Sequence, residues 1–250
     1  MSANRFFVSE SGFEGDLVRL GAEQAHQVCH VLRLKPGDGI VVLDGAGSEF
    51  DVTLTTVGSR EVLGRIVGTR QATGEPGVQI ALFQGLLARE KFEWVLQKGT
   101  EVGVSRFVPV QTERTLLRAR HIDDRKLVRW QRIVAEAAEQ SHRGRVPQIE
   151  EAITWSQALS QLGGFDRALI ASTSGETLTL NDALRPDGRT PRSIALLIGP
   201  EGGFSDAETA QARDSGGAVA VTLGPRILRT ETAAIVAPAL VLHILGQMQS

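Results

Sequence analysis

From Val78 onwards, short apolar runs alternate with longer amphipathic segments, and this alternation constrains the fold more than any other feature of the chain. Each run ends in a loop, and the runs are VQIALFQGLL, RFVPVQT, RALIAS, SIALLIG and AVAVTLG. Between two of them, DDRKLVRWQRIVAEAAEQS carries apolar residues at helical spacing. Strands that alternate with helices are typical of a mostly parallel sheet covered by helices. The pattern therefore predicts an α/β domain in this part of the chain.

Residues 1 to about 70 follow a different pattern. The runs GDLVRL, GIVVLDG, EFDVTLTTV and EVLGRIVGT are rich in Val, Leu, Ile and Thr and are separated by turn signals. The segment AEQAHQVCHVLRL interrupts them with one predicted helix. We predict a small barrel-like β domain over residues 1–72 and a second domain over residues 73–250, with QATGEPG at residues 71–77 as the linker.

The composition excludes several classes of protein. With 250 residues, of which 42% are hydrophobic and 22% charged, the chain can bury a sizeable core. Cys29 is the only cysteine, which excludes an intrachain disulfide and a thiolate metal cluster. His26 and His30 lack a third ligand, so no metal site is predicted. No apolar run approaches the roughly 20 residues of a membrane span, and no secretory signal is visible, so the expected location is cytoplasmic.

The segment IALLIGPEGGFSDAE, residues 194–208, places a glycine-rich loop between a strand and a helix. Ser205 and Glu208 form a capping box at the helix start. The loop matches neither common phosphate-binding fingerprint, and Glu201 at its centre would repel an anion. A cationic ligand without phosphate, such as S-adenosylmethionine, suits these residues better. Alternatively, the glycines only form a turn and Glu201 pairs with a neighbouring group.

Several segments together carry a resemblance to a known family. LLIGPEGGFSDAE and LGPRILRTETAA, supported by KFEWVLQKGTEVGV, TERT, AEAAEQSHRGRVPQI and HQVCHVLRLKPGD, resemble the SPOUT-type RNA methyltransferases. Within that group, they are similar to the family that methylates ring nitrogen 3 of a uridine in small-subunit ribosomal RNA.

The resemblance implies a fold, a cofactor and a partner. It implies a PUA-like β-barrel over residues 1–72, followed by a SPOUT α/β domain over residues 73–250 with a C-terminal trefoil knot, which topology rules alone would reject. It also implies a homodimer with its active sites near the subunit interface. S-adenosylmethionine would be held in the knot, mostly by backbone groups of Ile198, Gly199, Pro200, Gly202, Leu223, Gly224, Ile227 and Leu228.

Basic residues are candidates for contact with the ribosomal RNA. Between residues 114 and 145 the chain has nine lysines or arginines and four acidic residues. Guanidinium groups suit phosphate oxygens and can stack on exposed bases. The predicted RNA-binding residues are Arg33, Lys98, Arg114, Arg118, Arg143 and Arg145. The alternative is that this charge only solvates the exposed face of a helix.

Arg229 and Glu231, in ILRTETA, are the predicted catalytic residues. The ring N–H of uracil must lose its proton, and Arg229 would stabilise the negative charge left on the base. Glu231 would accept the proton or orient Arg229. Alternatively, the two form a structural ion pair at the helix start. The rival functions are a non-enzymatic RNA-binding factor for ribosome assembly and a nucleotide-dependent oxidoreductase.

Overall fold

The computed structural model describes residues 4–115, 124–173, 175–185 and 188–249. Its internal contacts divide the chain into two units, Met1–Glu75 with Ala138–Val146, and Pro76–Ala137 with Pro147–Ser250. This division falls at Glu75, three residues after the boundary predicted at residue 72. The sequence pattern did not predict that residues 138–146 return to the first unit.

The first unit is built on one six-stranded sheet. Its strands are β1 (Arg5–Phe7), β2 (Phe13–Glu14), β3 (Leu17–Leu20), β4 (Gly39–Leu43), β5 (Ser48–Val57) and β6 (Val62–Gln71). They are ordered β1-β4-β5-β6-β3-β2, and all neighbours are antiparallel except β1 and β4. Helix α1 (Ala22–His26) continues into one π-helical turn, Gln27–Val31. The predicted interrupting helix is therefore confirmed.

Apolar side chains from these elements meet in a single cluster. It includes Phe6 of β1, Val18 of β3, Ile40 of β4 and Leu54 of β5, each at most 2% exposed. Ala25 at the helix is fully buried in the same cluster. Burial of these side chains from water is the main force that holds the sheet and helix together.

The second unit alternates strands and helices, as predicted. Its strands are β7 (Gln79–Gly85), β8 (Arg106–Gln111), β9 (Gln148–Ile149), β10 (Ile153–Thr154), β11 (Arg167–Ala171), β12 (Leu178–Thr179), β13 (Ser193–Ile198) and β14 (Val219–Thr222). Its helices are α2 (Arg89–Val102), α3 (Asp124–Gln140), α4 (Trp155–Leu162), α5 (Leu180–Leu184), α6 (Asp206–Asp214) and α7 (Thr230–Ile244). The last residues of α3, from Ala138 onwards, belong to the first unit.

All strand pairs in this sheet are parallel, in the order β10-β8-β7-β13-β11-β14-β12, with β9 also paired to β8. The loops that follow β11, β13 and β14 consequently lie at one edge, where open α/β sheets bind their ligands. After β14 the chain returns as α7, which packs against β7, β13, α2 and α5. Among the helices in the described part of the chain, none is long and apolar enough to cross a bilayer.

The predicted linker, residues 71–77, is tightly packed because Arg143 binds a carboxylate within it. The Arg143 guanidinium donates from Nε to Glu75 Oε1 at 3.2 Å and from Nη2 to Glu75 Oε2 at 2.8 Å. The backbone N–H of Arg145 donates to the same carboxylate at 3.0 Å. A Cβ atom on Gly74 would lie 2.3 Å from the carbonyl oxygen of His142, so only glycine fits there.

These contacts correct the expectation that Arg143 binds RNA. Arg143 is only 2% exposed and its guanidinium is held by a carboxylate, so it does not present its charge to a phosphate. Arg145, two residues further along, is exposed. The two arginines differ because Glu75 accepts hydrogen bonds from the side chain of Arg143 but from the backbone N–H of Arg145.

We expect Arg143→Met to lower the free energy of unfolding by about 3 kcal/mol, because it leaves the largely buried Glu75 carboxylate without its partner. Arg145→Met is the matched control, and its effect should stay within about 0.5 kcal/mol. Urea unfolding followed by circular dichroism measures both. Equal losses in the two variants would show that the ion pair does not stabilise the unit.

Candidate active site

A cavity of about 700 Å³ opens at the carboxyl ends of β11, β13 and β14. Residues 171–173, 175, 177, 198–204 and 222–231 form most of its wall, and Lys91 and Arg114 also line it. We call residues 198–204 the first loop and residues 222–229 the second loop. The volume suits a ligand of drug or cofactor size.

The first loop turns back on itself before α6 begins. Ser205 Oγ accepts a hydrogen bond from the backbone N–H of Glu208 at 3.2 Å, and Glu208 Oε2 accepts from the N–H of Ser205 at 2.9 Å. The predicted capping box is confirmed. A Cβ atom on Gly199 would lie 3.0 Å from backbone atoms of Gly203 and Phe204. Gly203 itself has φ +69°, a conformation that favours glycine.

The second loop leads from β14 to α7 and also depends on a glycine. Gly224 has φ +104°, which a residue with a Cβ rarely adopts. Ile227 is 86% exposed at the cavity edge. The structure brings together at this cavity all of the residues predicted to bind the cofactor, namely Ile198, Gly199, Pro200, Gly202, Leu223, Gly224, Ile227 and Leu228.

Two residues at the end of β7 support the first loop, and the sequence analysis missed both. A Cβ atom on Gly85 would lie 2.5 Å from the backbone nitrogen of Pro200, so the loop passes directly over this glycine. Gln84 is fully buried and donates from Nε2 to the carbonyl oxygen of Gly199 at 3.3 Å. The available signal was a glutamine followed by glycine inside the apolar run VQIALFQGLL.

The TERT segment, residues 112–115, contacts both the first loop and the start of α6. The backbone N–H of Glu113 donates to Glu208 Oε1 at 2.7 Å, and the Glu113 carboxylate accepts from Ser205 Oγ at 2.8 Å. Arg114 Nη1 donates to the carbonyl oxygens of Gly202 at 3.0 Å and Phe204 at 3.3 Å. Arg114, predicted to contact RNA, is therefore part of the cavity wall.

Lys91, which the sequence analysis also missed, joins two carboxylates in the cavity. Its Nζ lies 3.1 Å from Glu201 Oε1 and 4.0 Å from Glu231 Oε2. Burial raises the pKa of Glu201, but hydrogen bonds from its own backbone N–H and from Lys91, with the charge of that lysine, outweigh burial and leave the pKa below the usual value. Glu201 is therefore ionised at neutral pH.

Arg229 and Glu231 both line the cavity, but they do not form the ion pair considered as an alternative. The guanidinium of Arg229 is exposed and has no hydrogen bond or ion pair among the residues that the structure describes. Glu231 faces Lys91 instead, and its Oε2 is buried without a hydrogen-bond partner in that same set of residues. Arg229 precedes the first residue of α7 and its side chain makes no capping bond.

The other predicted RNA contacts have different surroundings. Arg33 is exposed at the end of the π-helical turn with φ +55°, unusual for a residue with a side chain. Lys98 Nζ lies 2.7 Å from Glu101 Oε1 and 5.3 Å from the centre of the Trp94 ring. Arg118 lies outside the described residues. Within the described ranges, no group of three or more His, Cys, Asp or Glu side chains could hold a metal.

Comparison with known proteins gives the chain its family. A family model described as an RNA methyltransferase domain matches residues 74–242, and one described as an RNA methyltransferase PUA domain matches residues 20–67. Ribosomal RNA small subunit methyltransferase E of Bacillus subtilis is 33% identical, over 90% of this chain and 89% of that protein. The Synechocystis protein of the same name is 36% identical, over 89% of this chain and 71% of its own.

A solved structure shows the same architecture. The crystal structure of ribosomal RNA small subunit methyltransferase E from Neisseria gonorrhoeae, bound to S-adenosyl methionine, superposes with a TM-score of 0.86. It is 33% identical and the match covers 97% of this chain and 98% of that one. The predicted fold class, a PUA-like domain before a SPOUT-type α/β domain, is confirmed. The chain therefore belongs to the family of RNA methyltransferases that includes ribosomal RNA small subunit methyltransferase E.

Proposed function

We propose that this protein transfers the methyl group of S-adenosylmethionine to ring nitrogen 3 of a uridine in small-subunit ribosomal RNA. The observation that carries the proposal is the cavity, where two glycine-containing loops present their backbone beside the guanidinium of Arg229, which has no partner among the described residues. Family membership and the ligand of the Neisseria protein support it. A non-enzymatic assembly factor would have no use for such a cavity.

The residues of the cavity fit this cofactor. S-adenosylmethionine has an adenosine and a positive sulfonium but no phosphate. The first and second loops offer backbone N–H and C=O groups, which suit the adenosine. The ionised carboxylate of Glu201 lies in the wall, where it would oppose a phosphate and tolerate a cation. When bound, the cofactor supplies an electrophilic methyl group.

The chain's own residues handle the charge and the proton of the uridine. The N3–H bond of the base must break, and N3 would form a bond to the methyl carbon while the bond from that carbon to sulfur breaks and S-adenosylhomocysteine leaves. We assign the proton to the Glu231 carboxylate, whose Oε2 has no hydrogen-bond partner among the described residues. Arg229, which has no carboxylate partner in the part of the chain that the structure describes, stabilises the negative charge that spreads onto the uracil oxygens. Both residues lie at the start of α7, so one helix presents both groups.

The partners follow from the same proposal. Arg33 and Arg145 are exposed and, with Lys98, Arg114 and Arg118, remain candidates for contact with ribosomal RNA, while Arg143 is withdrawn. We also propose a homodimer, because α2 and α7 pack together and expose Trp94 and Leu240. The return of α7 to β7 and β13 supports the knot. We also propose a cytoplasmic location, which suits an enzyme that acts on ribosomal RNA.

The decisive test uses ribosomal RNA from a strain that lacks this gene. The purified protein and labelled S-adenosylmethionine are added to small subunits and, separately, to free RNA, and digested nucleosides are analysed by mass spectrometry. We expect 3-methyluridine at one site, with a matching stop in primer extension because the methyl blocks the pairing edge. RNA from the parent strain is the control and should accept no label. Label on another atom or none at all would contradict the proposal.

We expect Gly199→Ala to weaken binding of S-adenosylhomocysteine at least about tenfold, or 1.4 kcal/mol. The added Cβ would press on the backbone of Gly203 and Phe204 at 3.0 Å and widen the first loop. Isothermal titration calorimetry measures the affinity. Gly163→Ala is the control, because a Cβ there meets nothing within 4 Å, and its affinity should equal that of the parent.

We expect Arg229→Ala to lower kcat at least about 100-fold, the scale of losing one donor that stabilises developing charge. Affinity for S-adenosylhomocysteine should change less than about tenfold. Arg213→Ala is the control, since it removes the same charge from an exposed position on α6 outside the cavity wall, and its kcat at saturating RNA should stay within about threefold. Methyl transfer by Arg229→Ala at the parent rate would refute the catalytic assignment.

A further inference from the structure

Gln84 is a polar side chain buried within the parallel sheet, and the proposed chemistry gives it no task. It is 0% exposed and lies opposite Ile198 in the pairing of β7 with β13. Its Oε1 is buried and accepts no hydrogen bond from the described residues. An unpaired buried polar group destabilises a protein by about 1–3 kcal/mol, so an apolar residue would give a more stable strand. The stability of the sheet does not explain a glutamine here.

The amide nitrogen of Gln84 connects the two loops of the cavity. Nε2 lies 3.3 Å from the carbonyl oxygen of Gly199 in the first loop and 3.1 Å from Oγ1 of Thr230, the first residue of α7. It also lies 3.0 Å from the carbonyl oxygen of Gly85 and 3.4 Å from that of Ile198, so its two hydrogens are shared among these acceptors. The Thr230 hydroxyl donates its own hydrogen to the same carbonyl oxygen of Gly199. The three groups thus form a closed triangle in which Thr230 Oγ1 accepts from Gln84 and donates to Gly199.

The triangle acts where regular structure no longer fixes the backbone. The ladder between β13 and β7 ends at the pair Ile198 and Gln84, one residue before Gly199. At the other end, α7 begins without a side-chain cap at Arg229. Hydrogen bonds within the sheet and the helix therefore do not tie the first loop to the start of α7. Gln84 and Thr230 supply that tie.

We propose that Gln84 is a positioning residue for the methyl transfer, which holds the first loop and the start of α7 in one fixed arrangement through Thr230. The inference rests on the proposed function, because the loop is assigned to the cofactor and the residues flanking Thr230 to the base. A misplacement of about 1 Å between reacting groups can lower a rate about 100-fold. An amide donor at this point lowers the stability of the protein, because its Oε1 is buried and has no hydrogen-bond partner among the described residues.

The test compares Gln84→Met, Thr230→Val and the double variant with the parent enzyme. Methionine has the length of glutamine, but it has neither the N–H donor of Gln84 nor its buried Oε1 acceptor. The melting temperature of the variant should therefore not fall. We expect kcat to fall at least about tenfold in each single variant, with weaker binding of S-adenosylhomocysteine. Because both residues act through one network, the double variant should lose no more than about threefold beyond the worse single variant.

Two further variants separate positioning from a structural role. Thr230→Ser keeps the hydroxyl and should retain kcat within about threefold of the parent, which tests the triangle even if Gln84→Met does not fold. Thr100→Val removes another fully buried hydroxyl, one that donates to Leu96 within α2 at 2.7 Å, and should leave kcat unchanged.

Three outcomes would overturn the inference. They are a Gln84→Met enzyme with the parent kcat, losses that multiply in the double variant, and a Thr230→Ser enzyme as impaired as Thr230→Val. Failure of the proposed function is a separate result, since the parent enzyme would then not methylate ribosomal RNA at all. Affinity for S-adenosylhomocysteine would still report whether Gln84 and Thr230 position the first loop.

Discussion

The close approach of Pro200 to Gly85 determines the path of the first loop, and the rest of the cavity depends on it. With only 2.5 Å between the Pro200 nitrogen and the position of a Cβ, the loop lies directly on the end of β7. From there Gly199 falls within reach of Gln84, and Glu201 within reach of Lys91. A side chain on Gly85 would displace all of these contacts together. Close packing of backbone on backbone is what makes the site possible.

The charges of the cavity select the kind of ligand. Lys91 and Glu201 hold each other at 3.1 Å, so the wall carries an ionised carboxylate with a local counter-ion. Arg229 has no such partner among the described residues, and its charge remains available to a base that becomes negative. In the proposed function these charges have separate tasks, because the carboxylate of Glu201 would face the cationic cofactor and the guanidinium of Arg229 would stabilise the anionic base. A phosphate-binding loop would instead place backbone N–H groups, and not a carboxylate, beside its ligand.

The sequence predicted the parts of the site that are local and not those that depend on distant contacts. Periodicity identified the alternation of strands and helices, and S-x-x-E identified the cap of α6, because both are set within a few residues. The eight proposed cofactor residues were implied by the family resemblance that two short motifs carry. Lys91 and Glu201 are 110 positions apart, and Gln84 and Thr230 are 146 apart, so no spacing rule could join them. The ion pair of Arg143 was missed for the same reason, since its partner Glu75 lies 68 positions away.

We propose that backbone groups of the first and second loops bind the cofactor beside Arg229. A crystal structure of the protein with S-adenosylhomocysteine tests it most directly. We expect the adenosine between residues 198–204 and 223–228, with hydrogen bonds to backbone N–H and C=O groups and the sulfur facing the start of α7. A ligand bound elsewhere in the chain, or held in this cavity mainly by charged side chains, would contradict the account.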